Sequence, residues 1–312
     1  MGKIVSINIS EKKGLQKHEV DQVNVLEDFG IEGDAHAGKW HRQISFLDKE
    51  DIDEFNKKGG NVISGAFGEN FVVQGLNAKS LSVGSWIKCG DVLFEVTQKG
   101  KSCHDHCEIY YRVGECIMPK CGTFAKVLKG GQIKKGDEIM VIERDKPYPF
   151  QVAVITLSDK GFKGEREDIS GPTLVEKLKK VGYEVPEYIL LPDNKALLKK
   201  ELIRLADERQ IDLILTTGGT GFSSRDITPE ATLEVMDRNA PGIAEAIRAE
   251  SLKYTKHAML SRGVSVIRKK TLIVNLPGSP KACLESLQVF IESVPHGINL
   301  LRDQVSECAR KD

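Results

Sequence analysis

The feature that most constrains this chain is a change of hydrophobic rhythm across Asp145-Lys146-Pro147-Tyr148-Pro149. Proline offers no N–H to a strand or helix ladder and holds the residue before it extended, so neither kind of element should run through this segment. Two domains are expected, 1–146 and 147–312, which suits a length of 312 residues.

Ahead of the prolines, apolar residues come in short runs at 4–9, 43–47, 70–73, 85–88, 92–96, 124–128 and 138–142. Glycine turns separate them, among them Gly59-Gly60, Gly84, Gly90-Asp91, Gly130-Gly131 and Gly136-Asp137. Such spacing predicts a closed or folded-over, mainly β structure with one clear helix over 48–57. Behind the prolines, strands and helices alternate. Strands are expected at 152–157, 187–191, 211–216, 264–268 and 272–275. Helices are expected at 172–181, 194–209, 228–238, 243–254, 282–293 and 295–301, with Thr228 as the N-cap of the third and Pro229 at its first position. This alternation predicts a three-layer α/β domain on a mostly parallel sheet, with its ligand beyond the C-terminal strand ends.

Charge excludes some partners. Lysine plus arginine and aspartate plus glutamate both number 45, and 21 basic against 22 acidic residues precede Pro147. Neither half carries the field that holds a nucleic-acid backbone or an anionic membrane. No apolar run approaches the ~20 residues of a membrane span. Seven cysteines, an odd number, without a secretory signal fit free thiols in a reducing cytoplasm.

The residues that follow the strands of the second half are few and chemical. They are Ser158-Asp159-Lys160-Gly161, Pro192-Asp193-Asn194, Thr217-Gly218-Gly219-Thr220-Gly221 with Ser223-Ser224-Arg225-Asp226, and Pro277-Gly278-Ser279-Pro280. Glycines let backbone N–H groups approach an anion closely, and a proline-started helix offers a second cradle. Neither loop has the Walker A or dinucleotide-fold pattern. Asp159, Asp193 and Asp226 suit a hard divalent cation such as Mg²⁺ completed by phosphate oxygens; equally, Asp193 could cap the following helix and Asp226 could pair with Arg225. From the residues alone the reading is a phosphate-binding α/β domain and a Mg²⁺-dependent transferase.

Leu215-Thr216-Thr217-Gly218-Gly219-Thr220-Gly221 followed by Arg225-Asp226-Ile227-Thr228-Pro229-Glu230-Ala231-Thr232 is similar to the molybdopterin adenylyltransferases of molybdenum cofactor biosynthesis, the Mog type. The likeness continues through Pro241-Gly242, Leu260-Ser261-Arg262, Val266-Ile267-Arg268-Lys269 and Asn275-Leu276-Pro277-Gly278-Ser279-Pro280-Lys281, and covers about residues 150–305. It implies that ATP and molybdopterin share one pocket, that the pterin's terminal phosphate attacks the α-phosphate, and that adenylyl-molybdopterin and pyrophosphate leave. Asp193 and Asp226 match the family's two critical aspartates and are expected to be catalytic and to handle Mg²⁺. ATP and molybdopterin are expected at Ser158, Asp159, Thr217, Gly218, Gly219, Thr220, Gly221, Arg225, Ser261, Arg262, Asn275, Pro277, Gly278 and Ser279. Lys160 stands where the family often has arginine, replacing a planar fork with a flexible ammonium. Asp168-Ile169-Ser170-Gly171-Pro172 also fits the family pattern. The resemblance implies a homo-oligomer, a trimer.

The first half resembles a MOSC domain, a β-barrel module found with molybdenum cofactor sulfurases. Gly30-Ile31-Glu32-Gly33-Asp34-Ala35-His36, His41-Arg42-Gln43-Ile44-Ser45, Gly65-Ala66-Phe67-Gly68-Glu69-Asn70 and Val127-Leu128-Lys129-Gly130-Gly131 carry that likeness. It implies a functional cysteine, for which Cys107 and then Cys103 are the candidates, and a role in binding the cofactor or its sulfur or molybdenum. Cys103, Cys107, Cys116 and Cys121 with His104 and His106 could alternatively hold zinc or be inert thiols. Arg42 and His41 are expected near an anionic pterin phosphate. The competing functions are a non-catalytic carrier or storage scaffold for the cofactor, and sulfur transfer by the first half; other molybdenum cofactor enzymes are possible partners.

Overall fold

The computed structural model describes residues 1–101, 108–145 and 147–302. By internal contacts the chain forms two compact units, Met1–Tyr148 and Pro149–Asp312.

In the first unit seven strands close into a barrel. Going round it, Glu138–Ile142, Trp86–Cys89, Val92–Lys99, Thr123–Lys129, Ile44–Asp48, Phe71–Gln74 and Gly2–Ile9 are neighbours, and Gly2↔Ile139 and Lys3↔Glu138 shut the ring. These are the seven runs expected from the sequence, each shifted by at most a few residues. Closure removes the exposed sheet edge that an open sheet of short strands would leave. Their inward residues build one core, where Phe46 stacks on Phe71 at 5.5 Å and meets Phe94 edge-on at 5.4 Å. The helix Lys49–Lys57 lies outside this core and buries Ile52 and Phe55 against Leu47 and Val72.

Four further strands escaped the sequence reading. His18–Val20 pairs onto Gly2–Ile9, while Gly131–Lys134, Gln22–Leu26 and Gly30–Ile31 form a separate three-stranded sheet. Each is at most five residues, and His18-Glu19-Val20 and Gly131-Gln132-Ile133-Lys134 are mostly polar. The short helices Glu108–Val113 and Met118–Cys121 were likewise unforeseen.

The second unit is a mixed six-stranded sheet, ordered Glu184–Leu191, Gln151–Leu157, Leu213–Thr217, Thr271–Leu276, Ser265–Arg268, Arg238–Asn239. The first four are mutually parallel and the last two pairings are antiparallel. Successive residues of Gln151–Leu157 go to opposite faces. Val152 and Val154 pack with Leu174, Leu178, Cys283 and Leu287, whereas Ala153 and Ile155 pack with Leu198, Leu202, Ala231 and Val235. The helices Ser170–Lys180 and Pro280–Phe290 therefore cover one face, and Lys195–Ile203 and Thr228–Val235 the other. Coverage on both sides is why this strand reads as an unbroken apolar run.

Two helices differ from expectation. Thr228 is the first helical residue and Ile227 the cap; the Thr228 hydroxyl instead donates to Gly218 O at 2.9 Å, tying the helix start to the glycine loop. That helix stops at Val235, because Arg238–Asn239 is captured as an edge strand by Val266 and Ile267. The expected helix over 194–209 is α-helical only over Lys195–Ile203, then widens into a π-helical turn at Arg204–Glu208. There Arg204 and Arg209 both reach Glu187.

Candidate active site

All four loops that leave the parallel strands meet around a cavity of about 720 Å³. Ser158, Asp159, Asp193, Thr217, Gly218, Gly219, Arg225, Asp226, Gly278 and Ser279 line it, together with Lys160, Asp168 and Ser170. Arg166 and Glu167 also line it and were missed. They lie in a polar loop ahead of the helix Ser170–Lys180, where no periodicity or motif marks them.

The first two loops are locked to each other through aspartates. Asp193 N–H donates to Asp159 Oδ1 at 3.0 Å, and Asp159 N–H donates to Asp193 Oδ2 at 3.2 Å. The other Asp159 oxygen accepts from Arg225 Nη2 at 2.5 Å and Nε at 3.1 Å. Arg225 holds the Asp159 carboxyl below the usual range, with the Asp193 N–H assisting. Burial pushes Asp193 up, and the charges of Asp159 and Asp226 add to that while Arg225 opposes it. Arg225 therefore pairs with Asp159, not with Asp226. Asn194, rather than Asp193, caps the helix Lys195–Ile203, accepting from Leu197 N–H at 3.0 Å.

The glycine loop has no slack. Gly218 has φ +96° and Gly219 φ +62°, the left-handed region that disfavours any side chain. A methyl group on Gly218 would fall 2.5 Å from Leu157 O, and one on Gly219 would fall 2.5 Å from Thr228 Oγ1 and 3.6 Å from Asp193 Oδ1. Gly218 N–H is tied to Leu276 O at 3.3 Å, and a methyl group on Gly278 would lie 3.4 Å from Gly218 Cα. The N–H groups of Gly219, Thr220 and Gly221 find no acceptor among the described residues. Asp226 Oδ2 accepts from Ser223 N–H at 2.9 Å.

Other expected ligand residues are engaged in hydrogen bonds within the loops and strand ends. Arg262 lies along the outer side of the loop: Nε donates to Gly221 O at 2.6 Å, Nη2 to Asp226 O at 2.7 Å, and Nη1 to Glu230. It borders a second hollow of about 500 Å³, which shares Asp226 and Ser223 with the first. Asn275 is buried, donating to Thr216 Oγ1 and Thr232 Oγ1 and accepting from Val264 N–H. Thr220 is buried, and its carbonyl accepts from Arg262 N–H. Pro277 O accepts from Thr217 Oγ1 and the Cys283 thiol. Ser261 Oγ accepts from Gly263 N–H, and Ser279 caps the helix Pro280–Phe290.

For a cation, two carboxylates are available. Among the described residues Asp193 Oδ1 and Asp226 Oδ1 have no hydrogen-bond donor, and no group of three or more His, Cys, Asp or Glu side chains comes together. Such a donor set fits Mg²⁺, which takes one or two carboxylates and completes its shell with phosphate oxygens and water.

The first unit has its own cavity, about 660 Å³, at one side of the barrel. Lys17 and Asp34 form a fully buried ion pair at 2.6 Å beneath it. Asn70 Nδ2 also donates to Asp34 Oδ2 at 2.9 Å, and Ser10 N–H to Oδ1 at 3.1 Å. The Arg42 guanidinium lies 4.8 Å from the Trp40 ring centroid, and both line the cavity with His36, Lys101 and Cys116. His41 instead bonds to Gln98. Cys103, Cys107, His104 and His106 lie outside the described residues. Burial raises the thiols of Cys89 to about 12 and of Cys121 and Cys283 to about 11, so these three are held protonated.

Fold and site together define an α/β domain with a glycine loop and a carboxylate pair at its strand ends, joined to a β-barrel module. Residues 153–296 match the family model described as a probable molybdopterin binding domain, and residues 33–140 match the MOSC domain. The chain is 43% identical over 154 residues to a molybdopterin adenylyltransferase of Helicobacter pylori strain J99, covering 49% of this chain and 88% of that protein. It is 40% identical over 175 residues to the molybdopterin adenylyltransferase of Escherichia coli K12, covering 51% and 89%. A solved molybdopterin biosynthesis enzyme of Thermus thermophilus is 48% identical, with a TM-score of 0.47, covering 49% of this chain and 97% of that one. Through its second half, the chain belongs to the molybdopterin adenylyltransferase family. Among the described residues no helix is long and apolar enough to cross a membrane.

Proposed function

We propose that this protein acts in molybdenum cofactor biosynthesis and that its second unit transfers an adenylyl group from ATP to molybdopterin. The observation that carries this reading is the convergence of Asp193 and Asp226 on a glycine loop with free N–H groups. Phosphoryl chemistry of this type needs little covalent participation from the protein; it needs reactants held in line and charge neutralised. The N–H groups of Gly219 to Gly221 would hold phosphate oxygens, and Arg225 and Lys160 would supply cationic partners. Asp193 and Asp226 would hold Mg²⁺, which when bound neutralises charge on the triphosphate. The terminal phosphate of the pterin displaces pyrophosphate from the α-phosphate, giving adenylyl-molybdopterin.

The catalytic roles of Asp193 and Asp226 and the ligand roles given above to Ser158, Asp159, Thr217, Gly218 and Ser279 belong to this proposal. For Arg262 and Asn275 the placement supports bracing the loop and the strand ends rather than touching ligand. The boundary near Pro147, a cytoplasmic location and a trimeric assembly are part of the same reading. So is a cofactor-binding first unit, in which Arg42 and Lys101 face an anionic group and Trp40 offers a ring for a planar one.

Incubating the purified protein with molybdopterin, ATP and Mg²⁺ should yield pyrophosphate and adenylyl-molybdopterin. Binding of the pterin without product would overturn the transferase reading. Quenching of Trp40 fluorescence by added cofactor, lost in Arg42→Ala, tests the first unit.

A further inference from the structure

We infer that Asp159 is a positioning residue, which fixes the catalytic Asp193 through its main chain while holding Arg225 for incoming phosphate. The inference rests on the proposed adenylyl transfer for the identity of the ligand, but its geometric basis is independent of it. Asp159 is the one described side chain that ties together three of the four loops at the cavity. Oδ1 takes the Asp193 N–H, the Asp159 N–H returns to Asp193 Oδ2, and Oδ2 takes Nε and Nη2 of Arg225.

The consequence for Asp193 follows from the pairing. One of its carboxylate oxygens is occupied by Asp159 N–H, and its backbone is held by Asp159 Oδ1. The carboxylate is thus fixed at both ends, with its second oxygen aimed towards Gly219. Without the Asp159 side chain, Asp193 itself keeps only the return bond from the Asp159 N–H. Groups that orient a metal-binding carboxylate typically change metal affinity or turnover by about 10–100-fold when removed.

For Arg225 the consequence is different. Both oxygen contacts fall on a single Asp159 atom, so the guanidinium is not engaged in the two-oxygen fork that carboxylates and phosphates usually receive from arginine. Its side chain is 62% exposed. A phosphate of the ligand, offering two oxygens, competes for it. Arg225 should therefore govern binding, and Asp159 the geometry of the bound state.

The test compares Asp159→Ala, Asp159→Asn and Arg225→Ala in the full chain. Mn²⁺ affinity measured by electron paramagnetic resonance in the presence of ATP is read beside the steady-state kinetics. Asp159→Ala should weaken Mn²⁺ binding and lower kcat by about 10–100-fold. Asp159→Asn keeps an oxygen acceptor for Asp193 N–H and should recover most of both. Arg225→Ala should raise KM for ATP with kcat little changed. Wild-type Mn²⁺ affinity in Asp159→Ala would overturn the inference, as would an Asn variant as impaired as the Ala variant, or no saturable Mn²⁺ binding by the wild-type chain. A wild-type chain that binds Mn²⁺ and ATP but forms no adenylyl-molybdopterin would defeat the proposed function alone, since the positioning role is read in Mn²⁺ affinity.

Discussion

Arg262 Nη2 donates to the main-chain carbonyl of Asp226 at 2.7 Å, and Nε of the same guanidinium donates to Gly221 O at 2.6 Å. The arginine bridges the two ends of the segment that carries both the glycine loop and Asp226. Lysine has no planar fork and cannot make both bonds together with the ion pair to Glu230. Arg262→Lys should lower kcat by about tenfold or more while the thermal midpoint shifts little, because misplacement of a site loop costs rate before it costs stability. Steady-state turnover beside calorimetry of the same samples checks this; an unchanged kcat would mean the loop holds its shape unaided.

Asp226→Asn keeps an oxygen that can accept from Ser223 N–H, so the loop should retain its fold, but it removes one charge from the carboxylate pair. Turnover should fall by about a hundredfold or more while pterin affinity stays close to wild type. Rapid-quench measurement of adenylyl-molybdopterin beside equilibrium binding separates the two effects. Full activity would remove Asp226 from the chemistry.

Asn275→Ala should act on stability and not on ligand affinity. The amide bridges Thr216 and Thr232 and accepts from Val264 N–H, all in the interior. Leaving these groups without partners costs roughly 1–3 kcal/mol each in full desolvation. Denaturant titration should show the loss, and ATP titration of the folded fraction should give the wild-type Kd.

Asp34→Asn should destabilise the first unit by about 3–5 kcal/mol, since it leaves Lys17 charged and buried without its counter-ion. Both of the chain's tryptophans, Trp40 and Trp86, lie in that unit, so their fluorescence reports its unfolding specifically. Burial works against the Asp34 charge, but His36, Lys17 and Asn70 outweigh it and hold the carboxyl well below the usual carboxylate range. A depressed folded value means the stabilisation is complete above the ordinary aspartate pKa of about 3.9 and is lost as pH falls from there through the folded value. The wild-type advantage over Asp34→Asn should hold from neutral pH to about pH 4 and shrink below it.

How much of this was legible in the sequence depended on whether a residue's surroundings were local. The seven barrel strands could be read because each carries its own apolar run between glycines, and Gln151–Leu157 because both its faces are covered. His18–Val20 and Gly131–Lys134 could not, since their partners rather than their composition make them strands. The same division runs through the site. Asp159, Asp193 and Asp226 follow strand ends and were found by position alone. That Arg225 faces Asp159 instead of its neighbour Asp226, or that Arg262 and Asn275 bond within the loops and strand ends, depends on contacts across 36 to 66 residues of sequence. Arg166 and Glu167 carry no local signal and enter the cavity only because the loop folds over it.

The contacts of Gly218 carry a consequence for redesign. Its N–H bonds to the end of the strand Thr271–Leu276, and no side chain at Gly218 would clear the end of the strand Gln151–Leu157. The loop is therefore not a separable insert on a neutral scaffold. A graft of it onto another parallel sheet would need those strand ends carried with it. Selectivity is more readily re-engineered at Arg166 and Glu167, which line the same cavity outside the glycine loop.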